Sequence, residues 1–532
     1  MLLSLTTSTC RTQETTNQVK VMIGKIFYFK IFLSCFLAIF NSDLLCVDAV
    51  SKTNVDRNKT LVWGIGLRAN ATLPVRYFFI QAVDRFGRNF TESVGEKAFQ
   101  ISLAVKGTNV WYGHNVFDRQ DGSYIVRYRL HRSYKDIEIH VKHKGKHVSS
   151  SPFTLHGTSY HEDCYCPVLN FDKWLKAMEC PSTYKQIDDD LQIWKNAINM
   201  EKLAPKIVKR FNHHGQHSIC HYKIINNKLS RKCYGEHTGF SMFSDTPFLS
   251  LARKVILPDM DFFINLGDWP LSEKSSKQTY PIFSWCGSHE TKDIVMPTYD
   301  ITESTLGMMS KVTLDILSVQ GNSPPWANKS NLAFWRGRDS REERLNLVML
   351  SKKHPDLVDA MLTNMFFFPK DEKKYGKIVQ PVSFFDFFKH KYQLNIDGTV
   401  AAYRFPYLLA GSSVVLKQDS HYYEHFYNEL TPYVHYIPVK RNLSDLLDQL
   451  RWAKEHENEV KNIVENAQNY VLNRLLPKDI ICYHAILINK YSKLLKSKPA
   501  PDSTFTKVDQ PSDHDSYCQC HRKKPKKTHE EL

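Results

Sequence analysis

The texture of the chain changes near residue 160, and that change limits the folds open to it. Before that point apolar residues come in short β-branched and aromatic runs with partial alternation. These are Val75-Arg-Tyr-Phe-Phe-Ile-Gln, Phe99-Gln-Ile-Ser-Leu-Ala-Val, Tyr124-Ile-Val-Arg-Tyr-Arg-Leu and Ile137-Glu-Ile-His-Val-Lys, separated by turn signals such as Asp121-Gly122. Roughly seven strands in about 100 residues is the size of an immunoglobulin-like β-sandwich. From Tyr160 onward helical and strand patterns alternate, which predicts an α/β region. Val255–Leu266 includes a strand-like run, others occur at Ser413–Leu416 and Tyr433–Pro438, and the spacing of Leu446, Leu447, Leu450, Val460, Ile463 and Val464 predicts a helix over Ser444–Leu476. A length of 532 residues leaves room for more than one core, and 31 Phe and 26 Tyr against 21 Gly exclude a collagen-like or long disordered chain.

The ends of the chain speak to compartment. No stretch reaches the roughly 18 to 20 apolar residues that a membrane-spanning helix requires. The longest candidate, Ile31–Phe40, follows Lys20, Lys25 and Lys30 and precedes Val47-Asp48-Ala49, where small residues suit signal peptidase. Residues 1–49 therefore read as a cleaved secretory signal, with Met22 an equally good start and an uncleaved anchor the alternative. Five N-glycosylation sequons, at Asn58, Asn70, Asn89, Asn328 and Asn442, agree with secretory entry. The chain closes on His529-Glu530-Glu531-Leu532, a variant of the address that the KDEL receptor reads. The expectation is a resident of the endoplasmic reticulum lumen. Beyond the signal lie Cys164, Cys166, Cys180, Cys220, Cys233, Cys286, Cys482, Cys518 and Cys520, an odd count that leaves at least one thiol unpaired while an oxidising lumen favours disulfides among the rest. A zinc reading of Cys164, Cys166 and Cys180 with His213, His214, His217, Cys220 and His221 lacks a C-x2-C pair and is the minor one. A formal charge of +16 would draw the chain to a polyanion, but nucleic acid is not a partner available in the lumen, and Arg522–Lys527 reads as a solvated spacer. The layout is a signal peptide at 1–49, a β-sandwich at 50–157, an α/β region at 158–505 and a basic tail at 506–532.

Three segments could carry chemistry. In Asp259-Met-Asp261-Phe-Phe-Ile-Asn-Leu-Gly-Asp268-Trp-Pro an apolar strand ends in Gly-Asp, delivering a carboxylate at the strand's carboxyl end, where α/β sheets place ligands. Asp268 there could take a proton from a hydroxyl; its other reading is a turn or cap. Asp259 and Asp261 form a D-x-D, but before the strand and not after it, so metal binding is the minor reading. Arg336, Arg338, Arg341 and Arg344 lie within nine positions across a strand-to-helix break, where guanidinium forks and amides suit phosphate oxygens; the other reading is a solvated helix face paired with Glu342 and Glu343. In Asn395-Ile-Asp-Gly-Thr-Val400-Ala401-Ala402-Tyr403-Arg404 small residues let backbone approach a ligand, or simply let a helix pack closely on a strand. Together they would suit transfer from a nucleotide sugar, the cations stabilising a diphosphate and the carboxylate activating an acceptor hydroxyl.

These segments, with Phe283-Ser-Trp-Cys-Gly, Asp293-Ile-Val-Met-Pro-Thr-Tyr299, Phe384–Tyr392 and His435-Tyr-Ile-Pro-Val-Lys, resemble the CAP10-like protein O-glucosyltransferases. Ala82–Asn89, Asp118–Tyr128 and Gly145–Phe153 resemble a filamin-type repeat, and with Cys518–Lys524 and the retrieval address the combination is similar to the family's KDEL-motif-containing branch. The resemblance implies a glycosyltransferase of two Rossmann-like lobes (GT-B type) behind the sandwich. It would move glucose from UDP-glucose to serine in EGF-like repeats of proteins such as Notch or fibrillin, with inversion and no cofactor or metal. Carried over residue by residue, the base falls on Asp268 and the nucleotide-sugar contacts on Tyr299, Arg338, Arg344 and Val400, Ala401, Ala402, Tyr403 and Arg404. Single-domain relatives have serine at the place of Arg338 and lack some shared cysteines, Ala410 standing at one such place. The resemblance further implies that Cys482 pairs with Cys164 or Cys166. The alternatives are a UDP-xylose donor on the same fold, or a catalytically silent lumenal binding or quality-control protein.

Overall fold

The structure, a computed structural model, describes residues 54–106, 108–195, 197–213, 218–236, 238–510 and 518. Both the signal reading at 1–49 and the retrieval address His529–Leu532 lie outside the described residues. From Val55 onward the chain forms one compact unit.

Nine strands build the sandwich. One sheet has the order β1 (Leu61–Trp63), β2 (Arg76–Gln81), β6 (Ser123–Leu130), β5 (Tyr112–Asp118). The other runs β4 (Thr108–Asn109), β3 (Phe99–Val105), β7 (Tyr134–His143), β8 (Lys146–His147), with β9 (Phe153–Ser159) on β7. Phe78, Ile80, Tyr124, Val126 and Tyr128 face the second sheet and are buried. The opposite face of the first sheet is not solvated: Tyr77 and Ile125 join Ile65, Ala71, Leu73 and Val75 in the large core that holds the α/β region together. β6 is consequently buried along nearly its whole length, which explains why Tyr124-Ile-Val-Arg-Tyr-Arg-Leu is less strictly alternating than β3, whose burial does alternate. In the second half, Trp174 Nε1 donates to Thr72 Oγ1 at 2.9 Å, pinning this docking.

Two sheets follow. The first is mixed, in the order β15 (Ile294–Val295), β13 (Ile282–Ser284), β12 (Met260–Asn265), β10 (Ile219–Ile225), β11 (Lys228–Tyr234), β22 (Thr506–Val508). β12, β13 and β15 are parallel, and β10 and β11 form a hairpin whose turn residues Asn226 and Asn227 both have positive φ, a conformation asparagine tolerates. The second sheet is parallel throughout, in the order β17 (Val358–Asn364), β16 (Ser330–Arg338), β18 (His390–Asn395), β19 (Val414–Gln418), β21 (Ile437–Val439). The short ribbon β14 (Gly287–Ser288) and β20 (Tyr422–Tyr423) ties a segment following β13 to one following β19.

Two expectations need correction, the Cys482 pairing and the single helix over Ser444–Leu476, and the minor zinc reading loses a ligand. Cys482 pairs with Cys180, not with Cys164 or Cys166; Cys164 pairs with Cys518, and Cys166 is also disulfide-bonded. The reason is placement: Cys482 lies inside the buried helix Pro477–Ser492, against which the segment after the helix Phe171–Ala177 packs. Cys220 and Cys233 are directly opposed on β10 and β11 and form a disulfide, which removes both from any zinc set. The helix expected over Ser444–Leu476 is two, Leu446–Glu455 and Glu457–Arg474, broken at His456, whose imidazole bonds the Trp452 carbonyl at 2.8 Å and stacks on its ring. No helix among the described residues is long and apolar enough to cross a membrane.

Candidate active site

In an open parallel sheet, ligands bind where neighbouring crossovers leave in opposite directions, beyond the strands' carboxyl ends. Here that point lies between β16 and β18, since the chain passes from β16 outward to β17 and then returns to β18 on the other side. β16 ends at Arg338, and β18 runs into Ile396–Arg404. A cavity of about 460 Å³ opens there, closed on its far wall by the segment after β12. All nine residues carried over from the sequence line it: Asp268, Tyr299, Arg338, Arg344, Val400, Ala401, Ala402, Tyr403 and Arg404.

Asp268 is held by its loop. The buried Asn265 side chain at the end of β12 donates from Nδ2 to the Trp269 carbonyl at 2.6 Å and accepts the Gly267 N–H at 2.9 Å, closing the turn that carries Asp268. Ser284 Oγ accepts from the same Nδ2 at 3.2 Å and donates to Asp293, which also receives the Leu271 and Ser272 amides. The buried Cys286 thiol donates to the Asp268 carbonyl at 3.3 Å. Burial raises the Asp268 carboxyl above its ordinary value, and the nearby Arg338 opposes that rise.

The opposite wall is a cradle of donors. Among the described residues, the backbone N–H groups of Thr399 through Arg404 reach no protein acceptor, although Val400, Ala401 and Ala402 are almost fully buried. A run of amides without protein partners that lines a cavity can donate to an anion bound there. Two arginines fix its shape. Arg344 donates to the Asp397 carbonyl at 2.7 Å, to Ile396 and Arg338 carbonyls at 3.1 Å each, and Arg341 donates to Gly398 at 2.5 Å and Thr399 at 3.1 Å. Gly398 lets the Arg344 guanidinium sit close against the loop, since a Cβ there would lie 3.0 Å from Arg344 Nη2. Burial pulls Arg344 down to about 9, Arg404 adding to the effect. Arg404 donates to the Arg336 carbonyl at 2.8 Å and lies over the Phe387 ring; burial brings it to about 10, while Asp300 works in the other direction. Tyr299 packs edge-on to Trp285 and Tyr403, forming an aromatic corner beside Asp268.

The four clustered arginines therefore divide. Arg336 is consumed by Asp359 at 2.9 Å, and Arg341 and Arg344 organise backbone. The exposed Arg338, over the Phe366 ring, has no carboxylate or carbonyl bound to its guanidinium among the described residues, leaving it available to a ligand. The D-x-D is elsewhere: Asp259 accepts the Asn226 amide at 2.8 Å and Asp261 faces His221 at 3.3 Å, and neither lines the cavity. Sequence reasoning missed Asp300, a second carboxylate in the cavity whose carboxyl is raised by burial and by Asp268 and lowered by Arg404. An acid in a helix's first turn reads as an ordinary partner of the helix dipole, so no pattern distinguished it. It also missed the holding roles of Asn265 and Asp339; the buried Asp339 carboxylate accepts the amides of Phe366, Phe367 and Phe368 and so anchors the loop beyond β17.

A parallel α/β sheet offering amides and cations at its switch point, faced by a positioned carboxylate, has the chemistry that group transfer requires. The sequence comparisons specify the class. The profile of glycosyl transferase family 90 matches residues 175–530, and that of the filamin/ABP280 repeat matches residues 54–154. Protein O-glucosyltransferase 2 of Danio rerio is 51% identical over 88% of this chain and 93% of its own length. Protein O-glucosyltransferase 3 of Homo sapiens is 47% identical over 91% and 96%, and protein O-glucosyltransferase 1 of Rattus norvegicus is 30% identical over 60% and 82%. The chain belongs to glycosyl transferase family 90, with a filamin-type repeat at its amino-terminal side. All five sequon asparagines are exposed.

Proposed function

We propose that this chain is a protein O-glucosyltransferase that moves glucose from UDP-glucose to a serine hydroxyl in EGF-like repeats of secretory-pathway proteins such as Notch or fibrillin. The observation that carries the reading is the meeting of Asp268 with the amide row Thr399–Arg404, Arg338 and Arg404 in one cavity. The two α/β sheets are read as the lobes of a GT-B enzyme. The diphosphate lies against the amides with Arg338 and Arg404 supplying positive charge, so the reaction needs no cofactor or metal; Tyr299 and Tyr403 wall the donor, and Arg344 keeps the cradle in shape. Serine Oγ attacks C1 of glucose from the face opposite the leaving group, and the C1–O bond to the β-phosphate breaks, inverting the anomeric centre. Its proton passes to Asp268. A carboxyl raised above its ordinary value is a better base than an ordinary aspartate, and preorganised donors stabilise charge that develops on the diphosphate.

The proposed setting is the endoplasmic reticulum lumen, with return by the KDEL receptor. UDP-xylose in place of UDP-glucose is the nearest alternative, because one hydroxymethyl group in a pocket is worth only about 1–3 kcal/mol. The test is mass spectrometry of a folded EGF-like repeat incubated with each donor. A gain of one hexose on serine, lost with Asp268→Asn by a factor of about 10² to 10⁴, is expected. A gain of pentose alone would reassign the donor, and no gain with either would favour a silent binding protein.

A further inference from the structure

The sandwich reaches the cavity wall through a buried junction centred on Arg127. Arg127 on β6 points away from the sandwich core, its side chain 7% exposed, and donates to Asp315 Oδ2 at 2.6 Å and to Asn115 Oδ1 at 3.0 Å, with its guanidinium over the Phe117 ring. Asp315 is 1% exposed and has a second task. Its Oδ1 accepts the Ser318 amide at 2.9 Å, and the Ser318 hydroxyl answers the Asp315 amide, a capping box that starts the helix Ile316–Gly321. Phe117 closes the other end of that helix, lying so tightly on Gly321 that a Cβ there would come within 2.1 Å of it. Arg129 adds a bond to the Met308 carbonyl at 3.1 Å.

Both sides of this latch lead to the site. Leu314, immediately before Asp315, lines the cavity. The helix Ile316–Gly321 packs on the helix Phe405–Ala410, which begins directly after the amide row and has Arg404 as its N-cap. Tyr407 on that second helix bonds the Asp300 carbonyl and Ser304 Oγ, tying the row to the wall that carries Tyr299. We propose that Arg127 and Asp315 are positioning residues of the donor cavity, so that the sandwich sets the geometry of the amide row instead of standing beside it as a spacer. The inference rests on the donor-site reading given above.

A second sandwich contact supplies the control. Arg68 pairs with Glu179 at 2.5 Å, both half-exposed, and neither lines the cavity. The measurement is UDP titration by calorimetry into the purified chain, free of any acceptor. The double variant Arg127→Met with Asp315→Asn removes the ion pair without burying an orphan charge and keeps a residue that caps helices well. Its UDP dissociation constant should rise roughly 2- to 30-fold, the range over which residues remote from a ligand tune its affinity. Arg127→Lys should recover most of the loss, and Arg68→Ala should bind as the wild type does. Wild-type affinity in the double variant, whatever its thermal stability, overturns the proposal, as does an equal loss in Arg68→Ala. A wild-type chain that binds no UDP is a different result: it defeats the donor-site reading itself, and this inference with it.

Discussion

Burial lifts the Asp268 carboxyl and Arg338 pulls it back, and this opposition makes a signed prediction. A general base works only when deprotonated, so kcat/KM should fall as pH drops through the folded-state pKa of Asp268. Removing Arg338 takes away the lowering influence. In Arg338→Ala the acid limb should therefore move to higher pH, in addition to weaker donor binding; a limb that stays in place would mean the titrating group is not Asp268. Asp190 permits the same reasoning about stability. Burial pushes its carboxyl to about 7, although it accepts the Val295 amide and the Gln186 side-chain amide, both at 2.8 Å. Its folded-state pKa is above the unfolded value, so the folded chain holds the extra proton and this group's contribution to stability is lost as pH rises from about 4 toward 7. Asp190→Asn can keep the Val295 bond and cannot ionise. Its melting temperature relative to the wild type should climb across that window and level off above pH 7, the free-energy difference being on the order of a few kcal/mol. A constant offset at all pH values would show that Asp190 is not shifted.

At the scale of elements, what could be read in advance was local. The strand leading into Gly267-Asp268 and the strand-to-helix break after Arg338 are written in contiguous residues, and the residues drawn from them line one cavity. What could not be read depends on side-chain and backbone partners that apolar spacing and charge patterns do not show. His456 breaks a helix whose apolar spacing continues through it, because its ring is held by Trp452. Three of the clustered arginines serve backbone carbonyls or Asp359 contributed by other strands and loops, which no charge pattern reveals. The pairing of Cys180 with Cys482 is of the same kind, joining positions 302 residues apart. Because it ties the start of the α/β region to its last long helix, removing both cysteines with Cys180→Ser and Cys482→Ser should cost about 2–4 kcal/mol. The expected signature is a lowered denaturant midpoint with UDP affinity at 25 °C retained, since neither cysteine lines the cavity. An unchanged midpoint would mean the bridge does not constrain the unfolded chain as this topology requires.

At the scale of the molecule, the sandwich and the α/β region share a core. An independent filamin-type repeat would solvate the outer face of its β1-β2-β6-β5 sheet, as antiparallel sheets commonly do. Here Tyr77 and Ile125 on that face, with Leu73 and Val75 beside it, are at most 4% exposed and belong to the same cluster as Trp174, Ile187 and Tyr483. Exposing such side chains to water costs roughly 1.5–3 kcal/mol each, so separation of the two parts would be opposed by several kcal/mol before the Arg127–Asp315 pair is considered. That cost couples their unfolding. Differential scanning calorimetry of the purified chain should show one transition encompassing both parts, with calorimetric and van't Hoff enthalpies in agreement. A chain beginning near residue 160 should leave Trp174 and Met178 uncovered, since Thr72 and its neighbours pack on them, and should bind an apolar dye in proportion. Two resolved transitions, with a truncated chain that melts as the second of them does, would show that the shared cluster contributes packing without cooperativity.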